Sequence, residues 1–470
     1  MADPKPIEEK KPRGPRPARE ETPELAGHVE DFNARYFCVG DWGGQFRICR
    51  EAVTENRRTG GTEVELVAAR VKDFVDSHLQ EKVRVGERGG RPIVWDKGNA
   101  WLHHPRRRQY ERVVFEPPSQ HWPDLGAAPG GHYNLWRGFA YRPARGDCSL
   151  YLAHVRDNVC RGDSVKYSYL IRWMANAVRN PGESGQVAIA VKGRKGVGKN
   201  VFAEGFADLF GPHGMVVSDQ DRITRNFNGH LMNKVVLVAD EAFWAGDRRH
   251  EGTLKHLITG DRLVIERKGV DVVQARNCLH LVLLSNERWI VPATADERRF
   301  LVLGCSDARR EDHEYFGAVA AQLKSGGYEA LLWHLLEEVD LSGFDVRSAP
   351  STPELLAQMT EGLRGAERVW FDYCLTSGLI PGRVERDGTA WARPSDLEEF
   401  FAERAPRGER ISLKHVTLML REMGLKPGKK DQARGWSIPA LAEARERWDE
   451  RQFRHDWPED GGQWEESCTP

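Results

Sequence analysis

The segment Gly193-Arg-Lys-Gly-Val-Gly-Lys199-Asn200 is rich in glycine and ends in a lysine and an asparagine. An apolar run, Val187-Ala-Ile-Ala-Val191, precedes it, and a helix-like segment from Val201 to Phe210 follows. A strand, a glycine-rich loop and a helix in this order form a cradle for phosphate groups, because the loop N–H groups and the helix N-terminus favour negative charge. The sequence therefore predicts a nucleotide site formed by Gly193, Arg194, Lys195, Gly196, Val197, Gly198, Lys199 and Asn200.

One residue departs from the usual form of this loop. The position after the lysine usually holds Ser or Thr, whose hydroxyl binds Mg²⁺, and here it holds Asn200. A side-chain carbonyl oxygen can also ligate Mg²⁺. Asn200 is therefore interpreted as a variant Mg²⁺ ligand.

Two further apolar runs end in polar side chains. Val235–Ala239 is followed by Asp240 and Glu241, and Leu281–Leu284 by Ser285 and Asn286. Taken alone, each run is also typical of a core strand that ends at a surface turn. Behind a strand–loop–helix unit, the functional interpretation is favoured: Asp240 holds Mg²⁺, Glu241 polarises the attacking water, and Asn286 orients that water or contacts the γ-phosphate.

Two cationic segments lie around the third run. Asp296-Glu-Arg298-Arg299-Phe300 could supply an arginine to the nucleotide of a neighbouring subunit, or form a self-compensating surface turn. The alternating segment 261–274 predicts a β-hairpin with Arg267 and Lys268 beside a glycine turn. Such a tip could hold a phosphate backbone, or be a solvated hairpin.

Along the chain, the motifs come in the order glycine loop, Asp-Glu strand end, basic hairpin, Ser-Asn strand end and arginine pair. In this order they resemble those of superfamily 3 helicases, a branch of the AAA+ ATPases, and most closely the helicase portion of phage and plasmid primase–helicases of the poxvirus type. The resemblance covers about residues 165–350. It implies ATP and Mg²⁺ as cofactors, with Asn200 and Asp240 at the metal. It also implies that the residues of ATP hydrolysis are Lys199, Asp240, Glu241 and Asn286. Either Arg298 or Arg299 would reach the nucleotide of a neighbouring subunit as an arginine finger, and Lys268, with Arg267, would contact DNA.

The resemblance further implies an ATP-dependent DNA helicase or translocase in replication of a phage, prophage or mobile element. Its partners are single-stranded or forked DNA and identical subunits in a ring, with a hexamer expected. The alternatives are a non-unwinding remodeller, a helicase loader or a defence effector with the same ATPase core, and a DNA-binding protein with a degenerate ATPase. Residues 30–180 show no primase constellation, which predicts a separate primase–polymerase as partner.

Composition narrows the class of protein. The 470 residues carry 69 Lys and Arg against 70 Asp and Glu, which excludes a uniformly basic nucleic-acid binder but permits a locally basic channel. No apolar run approaches the ~20 residues of a membrane span. The eight cysteines include no Cys-x-x-Cys pair, which argues against a zinc finger or a disulfide scaffold. The expected location is the cytoplasm of a bacterium or a phage-infected host.

The expected fold class is α/β, with an AAA+-type doubly wound core. The expected division is a disordered tail (1–28), an α-rich N-terminal domain (29–180) with a helix over Val64–Val83, the ATPase domain (181–350), a winged-helix-like domain (351–450) and a loose acidic tail (451–470). Three groups are weaker candidates for DNA contact or, for the first, a metal: His103-His104 with Arg106–Arg108; Tyr133, Trp136 and Phe139; and Lys426, Lys429, Lys430 and Arg434. A solvated basic turn and core packing are the favoured alternatives for the first two groups.

Overall fold

The computed structural model describes residues 22–55, 62–118, 131–218, 228–241, 248–267, 270–294, 297–459 and 462–467. Its internal contacts divide the chain into two compact units. Of the described residues, the first unit comprises 22–55, 62–114, 131–135 and 270–272, and the second comprises 115–118, 136–218, 228–241, 248–267, 273–294, 297–459 and 462–467. The predicted boundary near residue 180 is therefore wrong, because residues 136–180 pack with the second unit.

The first unit is built on a mixed five-stranded sheet in the order β3-β2-β1-β6-β7, with β4 and β5 forming a separate antiparallel hairpin. The elements described are α1 (Pro23–Arg35), β1 (Tyr36–Asp41), β2 (Arg47–Glu55), β3 (Thr62–Ala69), α2 (Val71–Ser77), β4 (Lys82–Arg88), β5 (Arg91–Asp96), α3 (Lys97–Leu102), β6 (Gln109–Val114) and β7 (His132–Asn134). The prediction of an α-rich domain is therefore wrong. The segment 64–83, predicted as one helix, is the end of a strand, a short helix and the start of another strand.

Helix α1 shows why the predicted tail boundary at residue 28 is also wrong. The Thr22 side chain accepts a hydrogen bond from the N–H of Leu25 at 3.2 Å, and Pro23 occupies the first helical position, two features that favour a helix start. The helix buries Val29 and Phe32 against a cluster that contains Trp101. Residues 1–21 lie outside the described part of the chain.

The second unit contains a five-stranded sheet in which all neighbouring strands are parallel, in the order β14-β8-β13-β10-β9. The elements of this part are α4 (Ser149–Ala153), α5 (Ser164–Arg179), β8 (Ala188–Lys192), α6 (Lys199–Asp208), β9 (Gly214–Val217), β10 (Val236–Asp240), α7 (Arg248–Thr259), β11 (Arg262–Arg267), β12 (Val270–Arg276), β13 (His280–Ser285), β14 (Phe300–Gly304), α8 (His313–Gln322) and α9 (Tyr328–Trp333). Strands β11 and β12 form the predicted hairpin sheet. The predicted α/β class, with a parallel sheet and helices, is confirmed.

The C-terminal part carries short strands and helices that share one apolar core with the parallel sheet. Its elements are α10 (Pro353–Gly362), α11 (Gly365–Val369), β15 (Leu379–Ile380), β16 (Arg383–Val384), β17 (Ala390–Ala392), α12 (Pro394–Glu403), α13 (Leu413–Glu422), β18 (Pro427–Lys430), β19 (Ala433–Ile438), α14 (Leu441–Arg451) and β20 (Glu465–Glu466). Strands β16, β17, β19 and β18 form an antiparallel sheet in that order. The described residues of the predicted loose tail at 451–470 pack onto the molecule, because Phe453 and Trp464 are buried and the Trp464 indole donates to the Pro439 carbonyl at 2.7 Å.

Candidate nucleotide site

The predicted site residues meet at one edge of the parallel sheet. Strands β8, β10 and β13 end at Lys192, Asp240 and Ser285, and their parallel pairing brings these ends side by side. The strands are apolar and buried because both faces of a parallel sheet are covered. Polar side chains that follow strands of this kind collect at the carboxyl edge, where ligands of open α/β sheets bind.

The glycine-rich loop adopts a conformation that requires glycine at two positions. Gly196 has φ 82° and Gly198 has φ 90°, both in the left-handed region. A Cβ atom on Gly198 would lie 2.5 Å from Cε1 of Phe316 and 2.7 Å from Cε1 of His154. The loop therefore tolerates no side chain at position 198.

Polar contacts hold this loop from behind. The Asn158 amide donates to the Val197 carbonyl at 2.7 Å, and His154 Nε2 lies 3.0 Å from the Gly198 carbonyl. Because that carbonyl only accepts, His154 must donate through Nε2, and burial lowers its pKa. The N–H of Glu311 donates to the Gly196 carbonyl at 2.9 Å. These contacts fix the carbonyl groups of Gly196, Val197 and Gly198.

Lys199 is linked to the acidic strand end through Asn286. Its ammonium group donates to the Gly193 carbonyl and to the Asn286 side-chain oxygen, and the Asn286 amide donates to the Glu241 carboxylate. Burial lowers the pKa of Lys199, while the charges of Glu241 and Asp240 oppose that shift. The structure thus brings three of the predicted residues into one hydrogen-bonded chain.

Asn200 is joined to the second carboxylate. Its Nδ2 donates to Asp240 Oδ2 at 2.8 Å and to Glu204 Oε1 at 3.2 Å. The amide nitrogen, and not the carbonyl oxygen, therefore faces Asp240, so Asn200 orients this carboxylate. Carboxylate oxygens beside a phosphate loop are ligands that suit Mg²⁺, and the donor set at Asp240 fits this metal.

Glu241 has an unusual backbone. Its φ is 56°, which is rare for a residue with a side chain, and its N–H donates to the Leu284 carbonyl at 2.8 Å. The side chain is exposed. Strained backbone of this kind costs about 1–3 kcal/mol and clusters at functional sites. The strain turns the Glu241 carboxylate from the strand end toward Asn286.

The paired arginines lie at the opposite edge of the same sheet. They directly precede β14, whose Phe300 pairs with Ala188 at the start of β8, whereas the loop follows the end of β8. Five residues of strand, roughly 16 Å, separate the two edges. Arg299 is tied to the buried Glu297 at 3.3 Å, while Arg298 is exposed. Neither arginine joins the nucleotide site of its own subunit.

Other predicted residues fall elsewhere. Lys268 lies outside the described residues, and the structure describes only the backbone of Arg267, as the last residue of β11. Tyr133 is buried and stacks on Phe37, with ring centroids 4.3 Å apart. Trp136 stacks on His213 at 4.7 Å, and Phe139 contacts Phe210 at 5.4 Å. Tyr133 thus packs in a core, as the favoured alternative expects, whereas Trp136 and Phe139 are half-buried and pack against other rings.

The sequence did not reveal the residues that complete the cleft. Glu311, His313 and Phe316 line a cavity of about 510 Å³ together with the loop, Asp240, Glu241 and Asn286. They come from the start of α8 and the turn before it, which carry no motif of their own. An Asp312 cap ahead of an apolar helix was the one available signal, because it places a helix start after β14.

Within the described residues, no helix has the length and apolar character that a membrane span requires.

Three comparisons place these observations among known proteins. Residues 191–299 match the family described as "Family of unknown function (DUF5906)". The DNA primase–polymerase of Nitratiruptor phage NrS-1 is 25% identical over 239 residues, which are 48% of this chain and 32% of that protein. The chain thus spans about a third of the length of the curated relative it matches.

Solved structures share the fold. An apo structure of the NrS-1 C-terminal region matches with a TM-score of 0.58 and 16% identity, covering 89% of this chain and 99% of that one. A second apo form of this region matches with a TM-score of 0.56, covering 87% of this chain and 98% of that one, again at 16% identity. In agreement with the resemblance predicted from the motifs, the chain is similar in sequence to a phage primase–polymerase and shares the fold of the C-terminal region of that protein.

Proposed function

We propose that this chain is an ATP-dependent DNA helicase or translocase that acts in replication of a phage or related mobile element. The observation that carries the proposal is the group of hydrogen-bonded polar side chains at the carboxyl edge of the sheet. Lys199, Asn286 and Glu241 form one chain of hydrogen bonds, and Asn200 and Asp240 form a second pair beside the glycine loop. Their order along the chain is that of the helicase motifs.

Each side chain has a role in phosphoryl transfer. Lys199 exchanges its contacts with Gly193 and Asn286 for the β- and γ-phosphates of ATP, and the phosphate charge stabilises its ammonium form. Asp240 would hold Mg²⁺, which would supply positive charge to the phosphate oxygens. Glu241, turned by its strained backbone and held by Asn286, polarises the attacking water. Asn200 keeps the Asp240 carboxylate oriented toward the metal.

Hydrolysis requires a second subunit. A positive group at the γ-phosphate speeds phosphoryl transfer by about 10³–10⁵. Arg298 and Arg299 lie at the far edge of the sheet from their own glycine loop, so only a neighbouring subunit can deliver one of them. Arg298 is the better candidate, because it is exposed whereas Arg299 is held by Glu297. A homo-oligomeric ring, with a hexamer as the expected form, satisfies this need for every site.

The remaining parts of the proposal concern DNA and the outer elements. Arg267 and Lys268, at the tip of the β11–β12 hairpin, contact the backbone of single-stranded DNA in the ring. Helices α12 and α13, followed by the β18–β19 hairpin, have the order of a winged-helix module beside an AAA+-type core. Lys429 and Arg434 oppose each other in that hairpin, where both could meet duplex phosphates. A separate primase–polymerase remains the proposed partner.

The decisive experiment measures ATP hydrolysis and unwinding of a forked duplex by the purified chain. Lys199→Ala is expected to abolish both activities, whereas Lys324→Ala, which removes an exposed lysine of the same unit, leaves both intact. Lys268→Ala is expected to abolish unwinding and retain hydrolysis in the absence of DNA. Hydrolysis without unwinding, unaffected by Lys268→Ala, would instead identify a remodeller, a loader or a defence effector. Absence of hydrolysis in the unaltered chain would identify a degenerate ATPase.

A further inference from the structure

The first unit carries a concentration of positive charge that the proposed ATPase does not use. Residues 82–112 contain nine Lys or Arg residues and three acidic ones, in a chain whose charges otherwise balance. The cations are Lys82, Arg84, Arg88, Arg91, Lys97, Arg106, Arg107, Arg108 and Arg112, and the acidic residues are Glu87, Asp96 and Glu111. Such local excess marks contact with a polyanion.

The tip of the β4–β5 hairpin shows that this charge is not there for stability. Gly89 and Gly90 form the turn, both with positive φ, and Arg88 pairs directly opposite Arg91. Like charges in such a cross-strand pair destabilise a hairpin. Both arginines are exposed, and no carboxylate within the described residues pairs with either of them. Arg84, by contrast, is paired with Glu87 at 2.6 Å.

Exposed apolar surface continues from this tip along β5. Arg91, Ile93 and Trp95 lie on one face of the strand, because side chains alternate between faces. Trp95 is 40% exposed, and its neighbour Val94 is 51% exposed. The exposed part of this indole and Arg91, on the same face of β5, provide both partners that a nucleotide needs, a flat surface for the base and a cation for the phosphate.

The same surface leads to a cleft after α3. The Trp95 ring meets the His103 ring edge-on, with centroids 5.8 Å apart. His103 lines a cavity of about 560 Å³ together with His104, Arg107 and Tyr110. Glu111, the acidic residue in its lining, lies 3.4 Å from His132. The cleft therefore continues the basic surface from the hairpin tip toward Arg107.

Arg107 is fixed in this cleft without loss of charge. Its guanidinium donates to the Leu102 carbonyl and, at 3.0 Å, to the side-chain oxygen of Gln109, and it lies over the Phe46 ring at 5.6 Å. All three partners are neutral. A guanidinium held by neutral groups is oriented in advance and keeps its full attraction for phosphate.

We infer that the first unit binds single-stranded DNA along a basic face formed by Arg88, Arg91, Trp95, His103 and Arg107. The guanidinium groups hold successive phosphates and Trp95 stacks on a base. Stacking requires an unpaired base, so the face favours a single strand over a duplex. This site is distinct from the hairpin tip proposed to act in the ring, and it requires no nucleotide.

The test measures binding of a fluorescent oligo(dT) to the full chain by anisotropy, without nucleotide, over a range of salt concentrations. Arg88→Gln/Arg91→Gln is expected to weaken binding about tenfold and to reduce the salt slope by about 1.4, since each phosphate contact on a single strand contributes about 0.7. The matched control is Arg50→Gln/Lys72→Gln, which removes two exposed cations of the same unit. It is expected to bind as the unaltered chain does.

Trp95 provides a second readout that charge loss cannot mimic. Trp95→Ala is expected to weaken binding at least fivefold, whereas Trp95→Phe keeps a stacking ring and most of the affinity. On an oligonucleotide with abasic sites, the two Trp95 variants should bind alike. Three results would overturn the inference. They are unchanged affinity in both Arg88→Gln/Arg91→Gln and Trp95→Ala, an equal loss in the control Arg50→Gln/Lys72→Gln, and tighter binding of RNA or duplex DNA than of single-stranded DNA.

Hydrolysis of ATP without DNA, measured on the same samples, separates this inference from the proposed function. The basic-face variants are expected to keep the hydrolysis rate of the unaltered chain, and Lys199→Ala is expected to keep nucleotide-free DNA binding. If hydrolysis fails in every sample, the DNA-binding result still stands. If nucleotide-free binding depends on Lys268 alone, the inference fails and the proposed function does not.

Discussion

Asn200 takes the place of a hydroxyl residue in the phosphate loop and, in the proposed site, acts through Asp240. Its amide donates to the Asp240 carboxylate at 2.8 Å. Removing a group that orients a metal ligand weakens metal affinity by about 10–100-fold. Asn200→Ala is therefore expected to raise the Mg²⁺ concentration needed for half-maximal hydrolysis by at least about tenfold.

Asn200→Ser is the matched comparison, because a serine hydroxyl can both donate to Asp240 and ligate Mg²⁺. We expect it to restore Mg²⁺ dependence close to that of the unaltered chain. A Mg²⁺ titration of the hydrolysis rate measures both variants. If neither substitution alters the titration, Asn200 has no part in the metal site.

Gly198 offers a separate test of the loop conformation. Gly198→Ala combines a left-handed backbone, which costs an ordinary residue about 1–2 kcal/mol, with a Cβ only 2.5 Å from Phe316. The loop must shift, so we expect loss of binding of a fluorescent ATP analogue. Gly326→Ala is the control, since Gly326 has φ 94° but no atom within 4 Å of a Cβ placed there. That variant should lose about 1 kcal/mol of stability and retain nucleotide binding, and equal losses would mean that backbone strain alone matters.

The glycines, the lysine and the polar strand ends could be read from the sequence because each follows a recognisable apolar run. His154, Asn158 and Phe316 could not, because they approach the loop through tertiary packing and belong to no local pattern. The backbone strain at Glu241 is equally invisible in the sequence. A carboxylate after a strand predicts an acidic strand end, but not the direction in which the chain turns.

Strand β13 contains a titratable element inside the sheet. His280, at its first position, is fully buried with its ring edge against Trp173 at 5.5 Å, and burial lowers its pKa to about 4. The unfolded chain takes up a proton at the ordinary value of about 6.5, while the folded chain does not. Stability is therefore complete above pH 6.5 and falls as the pH drops toward 4.

His280→Phe keeps an aromatic ring and removes the proton site. The unfolding free energy, measured with urea, is expected to differ between pH 7 and pH 4.5 by about 2.4 kcal/mol less in this variant than in the unaltered chain. His213, whose pKa is also lowered by burial to about 4, should supply much of the dependence that remains. An unchanged difference would show that His280 is protonated or hydrated in the folded chain.

Elements covered on both faces were predicted well. Strands β8, β10 and β13 begin and end within one residue of the apolar runs 187–191, 235–239 and 279–284. The strands of the first unit were not predicted well, since several of them are largely exposed and carry charged side chains. In residues 64–83, apolar residues recur at helical spacing by chance, although the segment contains the end of β3, the short helix α2 and the start of β4. Only pairing with strands distant in the sequence resolves that ambiguity.

For the whole molecule, the proposed mechanism makes hydrolysis a property of the assembly, because of where the arginines lie. Arg298 precedes the first residue of β14, at the edge of the sheet remote from Lys199. Arg298→Ala is expected to lower hydrolysis about 10³-fold without loss of ATP binding, because it removes charge stabilisation from the transition state. Arg299→Ala removes one of two cations beside the buried Glu297, the other being Lys255 at 3.8 Å, so its expected effect is on stability.

Mixing two inactive variants tests whether the arginine comes from a neighbour. Lys199→Ala keeps its Arg298, and Arg298→Ala keeps its glycine loop, so a ring that contains both has interfaces at which an intact loop meets an intact arginine. In a random equimolar ring, about a quarter of the interfaces are of this kind, which sets the ceiling for recovered hydrolysis. Recovery of a measurable part of that quarter, present only after subunit exchange, is the expected result. Hydrolysis between subunits would be excluded by a chain that remains a monomer with ATP, or by mixtures as inactive as their components. Recovery with Arg299→Ala in place of Arg298→Ala would transfer the role to the other arginine.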